Sequence, residues 1–363
     1  PHSIVKISSV IYIGSDRITI IARVKGSIIL KAKCVRFHKF GEPQHVLQVE
    51  DRNVQSPGTG EVLVRMIARP INPSDLIPIK GAYSHRIGLP TIPGYEGVGI
   101  VEEVGPSVSK SLIGTRVLPL RGEGTWQEFV KTSAELAVPI PDFINNATAA
   151  QLYINPITAW LTCTEVLGLQ PGDDVLVNAC GSSIGRIFAQ LSAVLRFRLI
   201  AVTRSEAYTE DLIRLGASHV INTSNTSLYP AVMEITHGRG VKAAIDSIGG
   251  SAGIDAAYCV RPNGSLLSIG LLSGIPINWS KIIENTQVNV RMFHLRHWNE
   301  QASAQIWQAT FRRVIELIHN KQLKLMAPSL QFDLSDVTKA VQAAESHENT
   351  GKILLTSKMY TEG

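Results

Sequence analysis

Cysteine is scarce in this sequence, and its four cysteines form no recognisable framework. They are Cys34, Cys163, Cys180 and Cys259, and no two of them stand in a C-x-x-C pair. Neither a disulfide scaffold nor a zinc ribbon is therefore indicated, because both need cysteines at short, repeated spacings. We interpret the four as reduced thiols packed inside a cytoplasmic protein.

Long runs of one kind of residue are also missing. No five or six lysines and arginines follow one another, which argues against an arm that binds nucleic acid. No apolar stretch approaches the length of a membrane span, and no periodic repeat is present. We therefore expect neither nucleic acid nor a membrane as a partner.

The composition that remains is that of a globular protein. Of 363 residues, 44% are hydrophobic and 18% are charged, and the formal net charge is +5. This content can bury a large core, and the length suits two domains better than one.

The first thirty residues differ from the rest. Residues 1–30 are rich in Ile, Val and Ser, and they lack an apolar core followed by a small-residue cleavage site. Their β-branched residues suit an amphipathic transit helix poorly. We expect this segment to be an extension, with the folded protein beginning near Leu30.

Two patterns of organisation follow along the chain. From Cys34 to about residue 150, short apolar strands are broken by frequent glycines, which predicts a β-rich, barrel-like domain. After Ala147, buried-strand runs such as D-D-V-L-V-N-A alternate with helical segments such as R-I-F-A-Q-L-S-A-V-L-R, which predicts a doubly wound parallel sheet. The sequence thus predicts an α/β protein in which residues 31–152 with 299–363 form the first domain and residues 153–298 form the second.

One loop of the second domain supports two interpretations. Residues 178–185, N-A-C-G-S-S-I-G, join a buried strand to a helix, so backbone N–H groups and the helix N-terminus can face a pyrophosphate. The strict G-x-G-x-x-G is absent, and only Gly181 and Gly185 remain. The same residues match G-x-S-x-G, the nucleophile elbow of serine hydrolases. A hydrolase would use Ser183 as nucleophile and Asp246 as a possible acid, with His294, His297 or His319 as a possible base.

Three features favour the nucleotide interpretation. The upstream half is β-rich, no Gly-rich oxyanion segment such as H-G-G-G precedes the loop, and the next strand ends in Thr203-Arg204-Ser205. Arg204 lies about twenty residues beyond Gly185, where a dinucleotide fold presents the adenosine ribose, and arginine suits the 2′-phosphate of NADP. We therefore expect NADPH as the cofactor. The predicted contacts are Gly181, Ser182, Ser183, Ile184, Gly185, Thr203, Arg204 and Ser205.

With this loop and several shorter motifs, the sequence resembles the medium-chain dehydrogenase/reductase family. The motifs are Asn72-Pro73-Ser74-Asp75, Pro93-Gly94-Tyr95-Glu96-Gly97-Val98-Gly99, Thr158-Ala159-Trp160 and Leu215-Gly216-Ala217. The resemblance extends from about residue 31 to residue 357. It implies a GroES-like catalytic domain and a Rossmann NADPH-binding domain.

The zinc-dependent alcohol dehydrogenases of that family carry a metal-ligand cysteine near the N-P-S-D position and a histidine in a G-H-E motif. Here those places hold Asn72-Pro73-Ser74 and Tyr95, and the four-cysteine lobe is missing. Zinc needs several N or S ligands. The resemblance therefore implies the zinc-free branch, quinone reductases and 2-enoyl thioester reductases, with no metal site.

Within that branch, the enoyl thioester reductases look most similar. Their patterns are echoed in N-P-S-D-L-I-P-I-K-G-A-Y and F-H-L-R-H-W. The family's proposed proton donor, the tyrosine closing the first motif, maps onto Tyr83, and a tryptophan near its active site maps onto Trp298. The residues before Trp298, which include Arg296 and His297, are more basic than the family pattern.

The resemblance implies hydride transfer from NADPH to the β-carbon of an enoyl thioester and protonation at Cα. Tyr83 would give that proton, or else would only cap a Gly-rich turn. Asn72 and Thr158 are candidate nicotinamide contacts, or a turn-capping Asn and a helix-N-terminal Thr. Gly249 and Gly270, at strand ends, would let the backbone approach the cofactor.

Two other roles fit the same resemblance. Quinone reduction needs no dedicated proton donor, and an NADPH-binding protein without activity would use the same fold. The expected partner is a small molecule, an enoyl thioester or a quinone. Residues 288–293, V-N-V-R-M-F, look like an edge strand, and the family's habit of dimerising implies a homodimer through it.

Overall fold

A computed structural model describes residues 21–24, 27–346 and 351–357, so most of the predicted extension lies outside the described residues. The chain divides into two compact units. The first ends at Gln151 and resumes at Met326, and the second is Leu152–Leu325.

The helices and strands follow one another in this order. The first unit opens with β1 (Ile21–Val24), β2 (Ser27–Phe37), α1 (Pro43–Val46), β3 (Leu47–Val54), β4 (Glu61–Pro70), α2 (Pro73–Ile79), β5 (Val98–Val104), β6 (Arg116–Leu118), β7 (Phe129–Ser133), β8 (Val138–Pro139) and α3 (Asn146–Ala149). The second unit contains α4 (Ile154–Leu161), β9 (Asp174–Val177), α5 (Ser183–Leu195), β10 (Arg198–Thr203), α6 (Thr209–Leu215), β11 (His219–Asn222), α7 (Leu228–Ile235), β12 (Val241–Asp246), α8 (Gly250–Tyr258), β13 (Val260–Ser268), α9 (Trp279–Asn285), β14 (Asn289–Met292), α10 (Leu295–Gln301) and α11 (Ala304–His319). The first unit closes with β15 (Pro328–Asp333), α12 (Val337–Glu345) and β16 (Lys352–Thr356).

The first unit is β-rich, as predicted. Its larger sheet has the order β15-β16-β4-β5-β6-β8, with β7 also paired to β4, and its smaller sheet has the order β1-β2-β3. β4 supplies much of the core because Val62, Val64 and Met66 are fully buried. Gly94, at φ +95°, lies so close to Trp126 that a Cβ there would overlap the indole ring.

The second unit is a six-stranded parallel sheet in the order β11-β10-β9-β12-β13-β14. Val175, Leu176 and Val177 of β9 are all fully buried, the continuous apolar run typical of a strand covered on both faces. The predicted fold class, a β-rich domain with a doubly wound parallel sheet, is therefore confirmed. Residue contacts place α11 in the second unit, whereas the sequence-based bounds assign it to the first.

Candidate active site

The loop after β9 has the geometry of an anion-binding turn. The Cys180 N–H donates to the Val202 carbonyl at 3.0 Å, which holds the loop against β10. The Ser182 hydroxyl accepts from the Gly185 N–H at 3.3 Å and caps α5. The thirteen-residue helix α5 therefore begins at Ser183, with its positive N-terminus at the carboxyl end of the sheet.

Close packing explains both glycines of this loop. A Cβ on Gly185 would lie 2.7 Å from the Cys180 carbonyl oxygen, so α5 could not start where it does. A Cβ on Gly181 would lie 2.8 Å from ring carbons of Tyr208. The contact with Tyr208 had no signal in the sequence, because that ring comes from the turn after β10.

A buried pair joins the ends of β9 and β12. The Asn178 Nδ2 donates to Asp246 Oδ1 at 2.5 Å, and the Ser247 N–H donates to Asn178 Oδ1 at 2.8 Å. The Gly249 N–H donates to Asp246 Oδ2 at 3.0 Å. Burial raises the pKa of Asp246, although these donors lower it. Within the described residues no histidine contacts Asp246, so the predicted acid of a hydrolase orders strand ends instead.

An exposed arginine, Arg204, follows the end of β10. The Thr203 hydroxyl accepts from the Ser205 N–H at 3.2 Å, and the Ser205 hydroxyl accepts from the Ala207 N–H at 3.3 Å. These bonds shape the turn around Arg204, which is exposed. Among the residues that the structure describes, Arg204 makes no hydrogen bond or ion pair. Its guanidinium is therefore available to an anionic ligand.

Other predicted cofactor contacts lie in the same unit. Thr158 is 8% exposed within α4. Gly249 follows β12 at φ +81°, and a Cβ on Gly270, beyond β13, would lie 2.9 Å from the Ser247 carbonyl oxygen. Trp298 in α10 stacks on Trp307 with the ring centroids 5.7 Å apart.

Asn72 belongs to a buried polar cluster that the sequence did not reveal. Asn72, the N-cap of α2, is 1% exposed, and its Nδ2 donates to Glu96 Oε1 at 2.7 Å. The Lys352 ammonium, at the start of β16, donates to Asn72 Oδ1. Asp75 Oδ2 accepts from the Asn72 N–H at 2.8 Å, and Asp75 Oδ1 accepts from the Tyr95 N–H at 3.2 Å. We call Asn72, Asp75, Glu96 and Lys352 the buried quartet.

Burial dominates the electrostatics of the quartet. Desolvation raises the pKa of Asp75 to about 7, and the nearby Glu96 carboxylate adds to that rise. The backbone donors and Lys352 act in the opposite direction. Burial also lowers the pKa of Lys352, while the two carboxylates raise it. The ammonium and the carboxyls therefore depend on one another for their charge.

Tyr83 lies beyond the other end of α2. It precedes a 3₁₀ turn, Ser84–Arg86, and the Arg86 guanidinium lies 4.0 Å from the centre of its ring. Tyr83 is half-buried. The structure thus connects Asn72 and Tyr83 through one short helix. Their predicted roles toward cofactor and substrate stay predictions.

Neither a candidate metal site nor a membrane-spanning helix is present among the described residues. No group of three or more histidine, cysteine, aspartate or glutamate side chains is placed there to hold a metal ion. No helix in the described ranges is both long enough and apolar enough to cross a membrane.

Family models and known proteins match most of the chain. Residues 58–142 match the alcohol dehydrogenase GroES-like domain, and residues 183–320 match the model named zinc-binding dehydrogenase. The mitochondrial enoyl-[acyl-carrier-protein] reductase of Xenopus tropicalis is 30% identical, over 87% of this chain and 93% of that protein. The corresponding Mus musculus enzyme is 30% identical over 90% and 89%.

Solved structures also match most of the chain. A Bacillus thuringiensis structure assigned to an NADPH:quinone reductase is 60% identical, with a TM-score of 0.89, and the match covers 90% of this chain and 99% of that one. The Escherichia coli quinone oxidoreductase complexed with NADPH is 25% identical, with a TM-score of 0.83, and the match covers 90% and 100%.

Proposed function

Because the chain belongs to the medium-chain dehydrogenase/reductase family, in the branch of enoyl and quinone reductases, we propose that it reduces a 2-enoyl thioester or a quinone with NADPH and without zinc. The chain is an oxidoreductase of this family.

The observations that carry the cofactor assignment are the capped N-terminus of α5 and the exposed Arg204, which has no hydrogen-bond or ion-pair partner among the described residues. The helix end and its N–H groups suit a pyrophosphate. An exposed arginine after the end of β10 suits a 2′-phosphate, because a guanidinium can donate hydrogen bonds to two phosphate oxygens at once. The residues present therefore fit NADPH, which supplies a hydride when bound.

Tyr83 is the proposed proton donor in thioester reduction. Hydride addition at the β-carbon leaves negative charge on the thioester oxygen and Cα, and a phenol is competent to protonate that enolate. The ring is half-buried and lies against Arg86, which restricts its orientation. Asn72 and Thr158 remain proposed nicotinamide-side residues, and Trp298 a proposed neighbour of the substrate.

The donor set of the quartet supports zinc independence. At the places where zinc-dependent relatives carry ligands, Asn72 faces the Lys352 ammonium. A fixed cation beside an amide oxygen repels a second cation. Tyr95, at the histidine position, offers a phenol in place of an imidazole.

Quinone reduction is the second candidate, favoured by the 60% identity to the Bacillus thuringiensis protein. A serine hydrolase is less well supported, because Asp246 is held by Asn178 and backbone N–H groups and contacts no histidine among the described residues. A non-enzymatic NADPH-binding protein differs only in having no turnover.

A cytoplasmic location is proposed from the four free, buried cysteines.

The test is NADPH oxidation by the purified protein, with a trans-2-enoyl-CoA and a benzoquinone offered separately. We expect turnover with NADPH, and much less with NADH, because Arg204 has no phosphate to bind on NADH. Turnover of benzoquinone alone would assign quinone reductase activity. Absence of turnover with either substrate, together with labelling of Ser183 by a fluorophosphonate, would overturn the proposal in favour of a hydrolase.

A homodimer belongs to the same proposal. β14 is an edge strand, as predicted for residues 288–293, and edge strands pair readily with a second copy. Met292 of this strand is 68% exposed, and Ile283 of the preceding helix α9 is 64% exposed.

We expect the wild-type protein to have the mass of two chains in light scattering. Met292→Asp should weaken the dimer more than about tenfold, because it places carboxylates in an apolar interface. Ile306→Asp, at a half-exposed position on α11, is the matched control. A wild-type protein that stays monomeric at micromolar concentration would contradict the homodimer.

A further inference from the structure

Lys352 is a buried ammonium in the first unit with no assigned task. It is 5% exposed, and its Nζ donates to Asn72 Oδ1. Glu96, 1% exposed, accepts from Nδ2 of the same amide at 2.7 Å. Burying a charge is costly unless it is paired, so the partners of this ammonium indicate what it does.

The two partners impose one orientation on the Asn72 amide. An ammonium can only donate hydrogen bonds, and an ionised carboxylate can only accept them. The amide oxygen must therefore face Lys352, and the amide nitrogen must face Glu96. Without Lys352, the amide oxygen would lose the ammonium that fixes the direction it faces.

Asn72 in turn sets the start of α2. Its N–H donates to Asp75 Oδ2 at 2.8 Å, and the Asp75 N–H donates to the Asn72 carbonyl at 3.0 Å. The other oxygen of Asp75 accepts from the Tyr95 N–H at 3.2 Å. The quartet therefore joins β16, the start of α2 and the Tyr95–Glu96 segment.

The far end of α2 continues directly into the segment of Tyr83. The Lys80 N–H donates to the Leu76 carbonyl at 3.1 Å, and the Gly81 N–H donates to the Pro78 carbonyl at 3.0 Å. The Ala82 N–H donates to the Ile77 carbonyl at 3.3 Å. A change in the direction of α2 would therefore displace Tyr83.

We infer that Lys352 is a positioning residue: by fixing the Asn72 amide and neutralising the Asp75 and Glu96 carboxyls, it sets the direction of α2 and thereby the place of Tyr83. This inference rests on the proposed reductase function. Lys352 acts through the quartet and touches neither substrate nor cofactor.

The test is Lys352→Met in the full-length protein. We expect kcat for a trans-2-enoyl-CoA to fall about tenfold, because misplacement of a catalytic group by a fraction of an ångström is sufficient for that loss. The dissociation constant of NADPH should rise much less than kcat falls, because the proposed contacts with its phosphates, on α5 and β10, belong to the other unit and Asn72 is the one quartet residue proposed to meet the nicotinamide. Lys339→Met, at an exposed lysine of α12, is the matched control.

The double variant Lys352→Met/Glu96→Gln separates positioning from loss of folding. It removes one charge of each sign, so the cluster stays balanced, and an amide at position 96 can still bond to Asn72. We expect it to fold even if the single variant does not, and to recover part of kcat relative to Lys352→Met. Wild-type kcat in either folded variant would overturn the inference.

Hydrogen exchange of residues 72–83 gives a readout that does not depend on turnover. We expect Lys352→Met, or the double variant if the single one does not fold, to exchange faster than wild type in this segment and at the wild-type rate in α5. Wild-type protection of 72–83 would overturn the inference even if the protein is an active reductase. A wild-type protein that reduces neither substrate would remove the proposed function, and exchange would still decide whether Lys352 orders the segment.

Discussion

Tyr83→Phe is expected to lower kcat for a trans-2-enoyl-CoA about 100-fold, while NADPH binding stays unchanged. General acid catalysis contributes about 10²- to 10⁴-fold, and the variant removes only the hydroxyl that would give the proton. The ring contact with Arg86 is retained, because phenylalanine offers the same face to a guanidinium. The measurements are steady-state kinetics and a fluorescence titration with NADPH.

A matched variant and a second substrate sharpen this result. Tyr229→Phe removes a hydroxyl from a half-exposed tyrosine of α7 and should leave kcat unchanged. Benzoquinone reduction by Tyr83→Phe should fall less than twofold, because a hydroquinone takes its protons from water. An unchanged rate with the enoyl-CoA would remove Tyr83 from the mechanism and leave it as a residue of the turn after α2.

Arg204→Ala is expected to raise the dissociation constant of NADPH about 100-fold and to leave that of NADH within about twofold. A hydrogen bond to a charged group contributes about 1.5–3 kcal/mol, and only NADPH offers the phosphate. The guanidinium makes no bond within the described part of the chain, so its removal leaves no buried group without a partner. The free energy of unfolding of Arg204→Ala should therefore stay close to that of the wild type.

The control for Arg204 lies on the same strand. Arg198, at the opposite end of β10, pairs with Asp174 and is 49% exposed, so Arg198→Ala should leave the affinity for both cofactors unchanged. Equal losses for NADPH and NADH in Arg204→Ala would show that the arginine does not recognise the 2′-phosphate. Salt should weaken the wild-type preference for NADPH, because part of it is electrostatic.

The fold was predictable because its signals are local. Alternating apolar runs and helical segments between about 150 and 300 predict a parallel sheet whatever the rest of the chain does. The edge position of β14 and the loop at 178–185 followed from the same alternation. Within the candidate site, the residues on that loop and at the end of β10 could be named because loop, strand and helix are contiguous in sequence.

Other features depended on residues far apart in the chain. The ring of Tyr208 is the physical reason for Gly181, yet it comes from the turn after the next strand. α11 was predicted as a helix, but its apolar face does not say in which unit it packs, because many cores accept the same periodicity.

The sequence by itself thus determined the order of strands and helices, the phosphate-type loop and the arginine beside it. Only the tertiary structure showed which groups bind the Asn72 side chain. Its partner Lys352 lies 280 positions away in the sequence, at the start of an apolar strand. From the sequence alone, a lysine at that place would be predicted to lie in solvent. The physical reason is that hydrogen bonds and buried charges are satisfied by proximity in space, and no local pattern records which distant strand will supply the partner.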